Sequence, residues 1–237
     1  MNARLVHLTP RLTAALELLN GSVCVADIGT DHGRLAAALL QRGIAERVIA
    51  SDVSEPSLRK AEALLGYIGL SDRVSVRCGD GLSVLKQGEC DAVALLGMGG
   101  TLMCRLLDAC VVPLMGANVA VLQPMRAQRD IRAYLYRHCF HITDERIVRE
   151  GDRLYQVLKA VPKNTVQDWP DRFPQGFFDV GYTAFEHREA NLYALCMQQR
   201  EQHLKRMESA RNTDGEARLT ERIRALDQIL NELGPEE

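Results

Sequence analysis

Val23-Cys24-Val25-Ala26-Asp27-Ile28-Gly29-Thr30-Asp31-His32-Gly33 is the stretch whose reading decides the fold. Its first six residues form a nearly unbroken apolar run, which a parallel strand covered on both faces requires. Glycines at 29 and 33 then mark a sharp turn in front of a helix-like segment at 35–41. Comparable apolar runs recur at 47–53, 74–79, 91–97 and 118–123, and helix-like segments follow at 55–65, 101–109 and 127–138. Strands alternating with single helices predict βαβ units and a doubly wound parallel sheet. Upstream, Thr9-Pro10 followed by Leu12, Ala15, Leu16 and Leu19 predicts a short amphipathic helix stopped at Asn20-Gly21. Downstream, 141–148 and 154–161 read as strands separated only by Arg149-Glu150-Gly151-Asp152, a hairpin turn.

From 162 to 182 the composition shifts to proline, aspartate and aromatics, including Trp169, Phe173, Phe177 and Phe178, which is more consistent with a packing plug than a base-stacking platform. Residues 184–211 and 216–233 are long, charged and almost free of glycine and proline. Leu219, Ile223, Leu226, Leu230 and Leu233 are spaced as in a coiled-coil seam, and Thr213-Asp214-Gly215 supplies a turn, so an antiparallel helical hairpin is expected. The expected division is an α/β domain over 1–161 and a covering segment with helical hairpin over 162–237.

With 237 residues, 46% hydrophobic and 25% charged, the chain can bury a full core, and disorder as the whole answer is excluded. A net charge of −2 does not describe a globally basic nucleic-acid binder. The first ten residues lack the apolar run of a signal peptide and no stretch approaches the roughly 18 apolar residues of a membrane span, which predicts a cytoplasmic protein with no membrane partner. Seven cysteines, an odd count without Cys-x-x-Cys, predict neither a disulfide framework nor a metal site.

The 29–33 turn does not carry the spacing Gly-x-Gly-x-x-Gly of dinucleotide binders, and Asp27 and Asp31 place carboxylates where a pyrophosphate would sit, so a cationic or zwitterionic ligand is better matched. Asp52 follows the second strand, where an acidic side chain can accept both hydroxyls of a ribose. Asp80, in Cys78-Gly79-Asp80-Gly81 after the third strand, can accept from an adenine amino group. Each alone is equally an N-cap or turn aspartate. Together they describe an adenosine site without phosphate at the carboxyl edge of the sheet.

That arrangement resembles the class I, Rossmann-like methyltransferases that use S-adenosylmethionine, whose sheet is seven-stranded and mostly parallel with a terminal antiparallel hairpin. Asp27-Ile-Gly-Thr-Asp-His32, Ala50-Ser-Asp-Val53, Gly79-Asp-Gly-Leu82, Gly97-Met-Gly-Gly100 and Gln123-Pro-Met-Arg126 together are similar to the bacterial tRNA (adenine-22, N1) methyltransferase family, over roughly residues 4–161, and the helical hairpin matches that family's coiled-coil domain. One departure is that Gly33-Arg34-Leu35-Ala36 stands where a Leu-Pro is expected after Asp-His. The resemblance implies a methyltransferase acting on tRNA without a metal. It implies cofactor contacts at Asp27, Gly29, Thr30, Asp52, Val53, Asp80, Gly81 and Gly97, and a transfer site at Asp31, His32, Gly97, Met98, Gly99 and Gly100. It also makes Arg126, Arg129 and Arg132, in a basic cluster with Arg137, candidates for RNA phosphates, against the alternative of a solvated helix face. His32 is equally a satisfied loop histidine, and Gly97 to Gly100 equally a tight turn. Because no aromatic in 97–100 can stack a base, a non-catalytic adenosine- or RNA-binding module that recruits a partner through the coiled coil is the alternative, with methylation of a small molecule or protein a third.

Overall fold

The computed structural model describes residues 5–109, 116–163, 165, 167, 174–209 and 214–234. Seven strands form one sheet in the order β3-β2-β1-β4-β5-β7-β6. They are β1 (Cys24–Ile28), β2 (Arg47–Asp52), β3 (Val74–Cys78), β4 (Ala92–Gly99), β5 (Val119–Arg126), β6 (Phe140–Glu150) and β7 (Arg153–Pro162). The first five run parallel, and β7 inserts antiparallel between β5 and β6. Glu150 pairs with Arg153, leaving a two-residue turn in which Gly151 takes φ 56°.

Burial explains the unbroken apolar runs. All five residues of β1 are buried. Val25 faces a layer made by α1 (Pro10–Leu18), α2 (Arg34–Gln41) and Leu65 of α3 (Glu55–Tyr67), whereas Ala26 and Ile28 face α4 (Gly100–Ala109) and α5 (Gln128–Arg137). β1, β2, β4 and β5 alternate between the two cores, so an unpartnered polar side chain on either face of them would lack water.

The last helices are α6 (Pro174–Val180), α7 (Tyr182–Glu186), α8 (Leu192–Ser209) and α9 (Asp214–Leu233). Three expectations change here. The helix expected over 184–211 is broken after Glu186, because Arg188 and Asn191 take φ 47° and 63°, and Asn191 Nδ2 donates to Ile147 O at 3.0 Å. Asp214 and Gly215 belong to α9 rather than to the turn, and Thr213 lies outside the described residues. The buried face of α9 is Ile223, Ala225, Leu226 and Ile229, wider than a two-helix seam, because α9 packs on α6 as well as on α8; a Cβ at Gly176 would meet Ile229 Cδ1 at 2.7 Å. Phe177, Val180, Leu195 and Leu226 close over Ile147 of β6 in a third core, so Phe177 is a packing residue; Trp169 and Phe173 lie outside the described residues. Among the described residues no helix is long and apolar enough to cross a membrane, and no group of His, Cys, Asp or Glu side chains could hold a metal ion. Cys110 also lies outside the described residues.

Candidate functional site

β1 pairs with β2 on one side and with β4 on the other, so the connections leave it in opposite directions and open a crevice at the carboxyl ends of β1 and β4. The 29–33 turn forms one wall. Gly29 and Thr30 donate their N–H groups to Ser51 O at 2.8 and 2.9 Å, which ties the turn to β2. Gly29 has φ 75°, a backbone conformation that favours glycine, and a Cβ there would push aside only the terminal methyl of Met98 across the crevice. Asp27 is 3% exposed, and the Thr30 hydroxyl donates to its Oδ2 at 2.7 Å. Burial pushes its carboxyl up to about 6 against the opposing hydrogen bonds from Thr30 and from the backbone of Ala36.

Asp52 ends β2; its Oδ2 accepts the Asp31 N–H at 3.1 Å and its Oδ1 the Ser54 N–H at 2.9 Å. The Asp52 carbonyl accepts the Gly79 N–H at 3.1 Å, which sets the 79–81 turn beside it; Asp80 there is exposed, and Gly81 takes φ 55° against Leu106. Val53 is exposed. Asp27, Asp52 and Asp80 therefore stand at the ends of three neighbouring strands.

A cavity of about 400 Å³ occupies the crevice, lined by Asp27, Gly29, Thr30, Asp31, His32, Gly97 and Met98 among others. Asp52, Val53, Asp80 and Gly81 lie outside its lining, at the adjoining strand ends. Asp31, held at φ 51°, places Oδ2 2.5 Å from His32 Nδ1, while His32 Nε2 is 3.2 Å from Lys60 Nζ, so the imidazole bridges a carboxylate and an ammonium.

Opposite, residues 97–99 are not the tight turn that paired glycines suggest. β4 continues to Gly99 through two register shifts against β5, and α4 begins at Gly100, whose missing Cβ leaves room for the Ala127 carbonyl. Gly97 (φ 75°) donates its N–H to Gln123 Oε1 at 3.1 Å, and Gln123 is 1% exposed. Sequence reasoning gave Gln123 no separate role, nor Arg11, Leu12, Arg34 or Leu96, which also line the cavity. A lone glutamine inside the apolar strand Val119–Arg126 was the available signal for the first.

The arginine cluster divides. Arg132 is fully buried, with Nε donating to Glu145 Oε1 at 2.8 Å and Nη2 2.7 Å from the same oxygen. No phosphate can reach it, which removes it from the RNA-binding candidates. Arg126 is exposed, and Arg129 is half-buried, with Nη1 3.5 Å from Asp179 Oδ1. Both open on a second cleft of about 510 Å³ between the ends of β5 and β7 and the helix α8, where Arg153 and Arg206 join them. Among the described residues Arg126, Arg153 and Arg206 have no carboxylate partner within 4.0 Å. Asp179, at the floor, also accepts from Arg222 Nε at 2.9 Å and lies 3.3 Å from His203 Nε2; burial alone would raise its carboxyl, but hydrogen bonds from His203 and Arg222 and the charges of Arg222 and Arg129 hold it below its ordinary range.

A family model described as "Methyltransferase domain" matches residues 8–158. The tRNA (adenine(22)-N(1))-methyltransferase of Bacillus subtilis (strain 168) is 35% identical over 155 residues, a stretch that spans 65% of this chain and 65% of that protein's own length. The crystal structure of the B. subtilis m1A22 tRNA methyltransferase TrmK superposes with a TM-score of 0.83 at 27% identity, covering 95% of this chain and 99% of that one. M. capricolum TrmK, solved with S-adenosyl-homocysteine, has the same fold, with a TM-score of 0.82 at 20% identity over 96% of this chain and 99% of that one.

Proposed function

The chain belongs to the methyltransferase family whose domain spans its residues 8–158, and on that premise we propose that it methylates N1 of an adenine in tRNA, at position 22, with S-adenosylmethionine as donor. The observation that carries this reading is that the likeness to an m1A22 tRNA methyltransferase extends over 95% of the chain, terminal helices included, and not only over the α/β part. On this reading residues 1–161 carry the transfer chemistry, residues 162–237 help hold RNA, and the protein works in the cytoplasm, where tRNA is processed.

The residues of the crevice fit the cofactor. The buried carboxylate of Asp27 and a 29–33 turn that departs from the phosphate-binding glycine spacing suit a ligand with cationic groups and no phosphate. Each oxygen of Asp52 accepts one backbone N–H and keeps a second lone pair for a ribose hydroxyl. On this reading Asp80, exposed at the end of β3, accepts from the adenine amino group. Bound there, S-adenosylmethionine supplies a sulfonium-activated methyl group.

N1 of neutral adenine already carries a lone pair, so the chain need not generate a nucleophile, and the task left to it is positioning. Gln123 fixes the Gly97 N–H and with it the backbone of 97–100 on the substrate side of the crevice. The base becomes cationic as the bond forms, and the Asp31 carboxylate on the cavity wall stabilises that charge. N1 lies on the pairing edge, so the adenine has to leave its stack to enter. The cleft carrying Arg126, Arg129, Arg153 and Arg206 suits the RNA backbone that delivers it.

The test is incubation with labelled S-adenosylmethionine and bulk bacterial tRNA, followed by nucleoside mapping. Label in 1-methyladenosine at position 22 is expected. Cofactor binding without transfer to RNA would favour the binding-module reading, and transfer only to other substrates would reject tRNA.

A further inference from the structure

We infer that Arg11, backed by the ring of Tyr155, is the surface on which the target adenine stacks. The inference rests on the methyl-transfer reading above and assigns it a substrate-gripping group that the β4 end lacks, since Gly97-Met98-Gly99-Gly100 offers neither an aromatic ring nor a side-chain amide. Asp52 and Asp80 lie on the β2 and β3 side of the crevice and commit that flank to the cofactor's adenosine. The base must then enter from the side of β4 and β5, and Arg11 lines the cavity there.

Arg11 is held from several directions. Its guanidinium carbon lies over the Tyr155 ring, 5.0 Å from the centroid, Nη1 is 3.8 Å from Glu150 Oε2 and 4.0 Å from Met125 Sδ, and its backbone N–H donates to Glu150 Oε1 at 2.9 Å. A long side chain fixed this way has little rotamer freedom left to lose when a ligand arrives. Tyr155 itself lines the neighbouring arginine cleft, so the pair stands on the boundary between the cavity where the methyl is transferred and the groove suited to phosphates. Guanidinium groups are planar and weakly hydrated, and they stack on nucleobases as well as on aromatic rings. With tyrosine on the cleft side of Arg11, the side that lines the cavity is the one assigned to the base. Glu150 offsets the arginine charge, so the methylated, cationic base does not meet an unbalanced cation.

The experiment compares Arg11→Lys, which keeps the charge and loses the plane, with Tyr155→Phe, which keeps the ring, and Tyr155→Ala, which removes it. At saturating cofactor, kcat/KM for tRNA should fall about 5- to 150-fold in Arg11→Lys and in Tyr155→Ala and by less than about threefold in Tyr155→Phe, as expected for one lost stacking contact. Cofactor affinity by calorimetry should be unchanged in all three. A fluorescent adenine analogue, 2-aminopurine, at the target position should emit differently in the wild-type and Arg11→Lys complexes while matching between wild type and Tyr155→Phe, a pattern that a purely structural role would not produce. Wild-type turnover in Arg11→Lys would reduce the arginine to a point charge and overturn the inference. Lowered cofactor affinity would move Arg11 to the cofactor site and overturn it too. Failure of the wild-type enzyme to methylate tRNA would instead reject the underlying reading, and the fluorescence comparison would still decide whether a base stacks here.

Discussion

Asp27→Asn should make the cofactor-free protein more stable at alkaline pH while weakening its hold on the cofactor. The Asp27 carboxyl is raised from 3.8 to about 6 because the side chain is buried. A folded-state value above the unfolded one means that the folded protein binds the proton more tightly. Its favourable contribution is therefore full below the unfolded value and is lost as pH rises through the folded value. Above pH 7 the ionised side chain costs the fold about 3 kcal/mol, from a shift of about two units at 1.36 kcal/mol each. Asparagine removes the charge, and its carbonyl can still accept from Thr30, but the NH2 that replaces the second carboxylate oxygen donates and cannot accept, which gives back about 1–2 kcal/mol. The net gain of about 1–2 kcal/mol at pH 8 should raise the melting temperature by about 2–8 °C for a chain of this size. Near pH 5 the wild-type carboxyl is itself largely protonated in the fold, so most of the gain should vanish. Differential scanning calorimetry of both proteins at pH 5 and pH 8 measures this directly. A variant less stable than wild type at pH 8, or equally stabilised at both pH values, would refute the assignment of the raised value to burial. Titration with S-adenosylmethionine should show at least about tenfold weaker binding, because a neutral amide replaces the carboxylate facing a cationic ligand.

Arg132→Met should lower stability by about 3–5 kcal/mol by leaving Glu145 buried and unpaired; a loss of tRNA affinity without a loss of stability in chemical denaturation would restore it as an RNA contact. Asp31→Asn should slow single-turnover transfer about 10- to 1,000-fold at saturating cofactor, and an unchanged rate would pass the role to His32 or to the backbone at 97–100. Truncation after Lys163 strips Phe177, Val180, Leu195 and Leu226 from Ile147 and opens the Arg132–Glu145 pair. It should lower the melting temperature and expose apolar surface to a fluorescent dye, and a truncated protein as stable as the full chain would show that the third core adds nothing to the sheet.

What the sequence disclosed depends on how far apart the deciding residues are. The apolar run at 23–28 announces β1 because burial on both faces leaves its mark within six residues, and Gly29 and Gly33 locate the turn because their backbone angles are local demands. The three aspartates could be placed at the crevice edge for the same reason: a residue just past a strand's end needs no distant partner to be located. Arg129 and Arg132 are three apart on one helix and look alike in sequence, yet one opens on a cleft and the other is buried, and the difference lies in Glu145 on β6. The break at 187–191 has no glycine or proline to announce it; it is held by Asn191 reaching the Ile147 carbonyl and by Arg188 Nη1 donating to the Leu233 carbonyl at 3.4 Å, both 44 or more residues away. Arg11 belongs to the same class. Nothing near it in the chain distinguishes it from any arginine at a helix start, and its place on the cavity wall is set by Glu150 and Tyr155, which reach it only because the last hairpin folds back beside β5. The flank proposed to hold the cofactor is thus written in local strand-end signals, whereas the flank proposed to meet the substrate is assembled from residues 11, 97, 123 and 155, which only the finished sheet brings together.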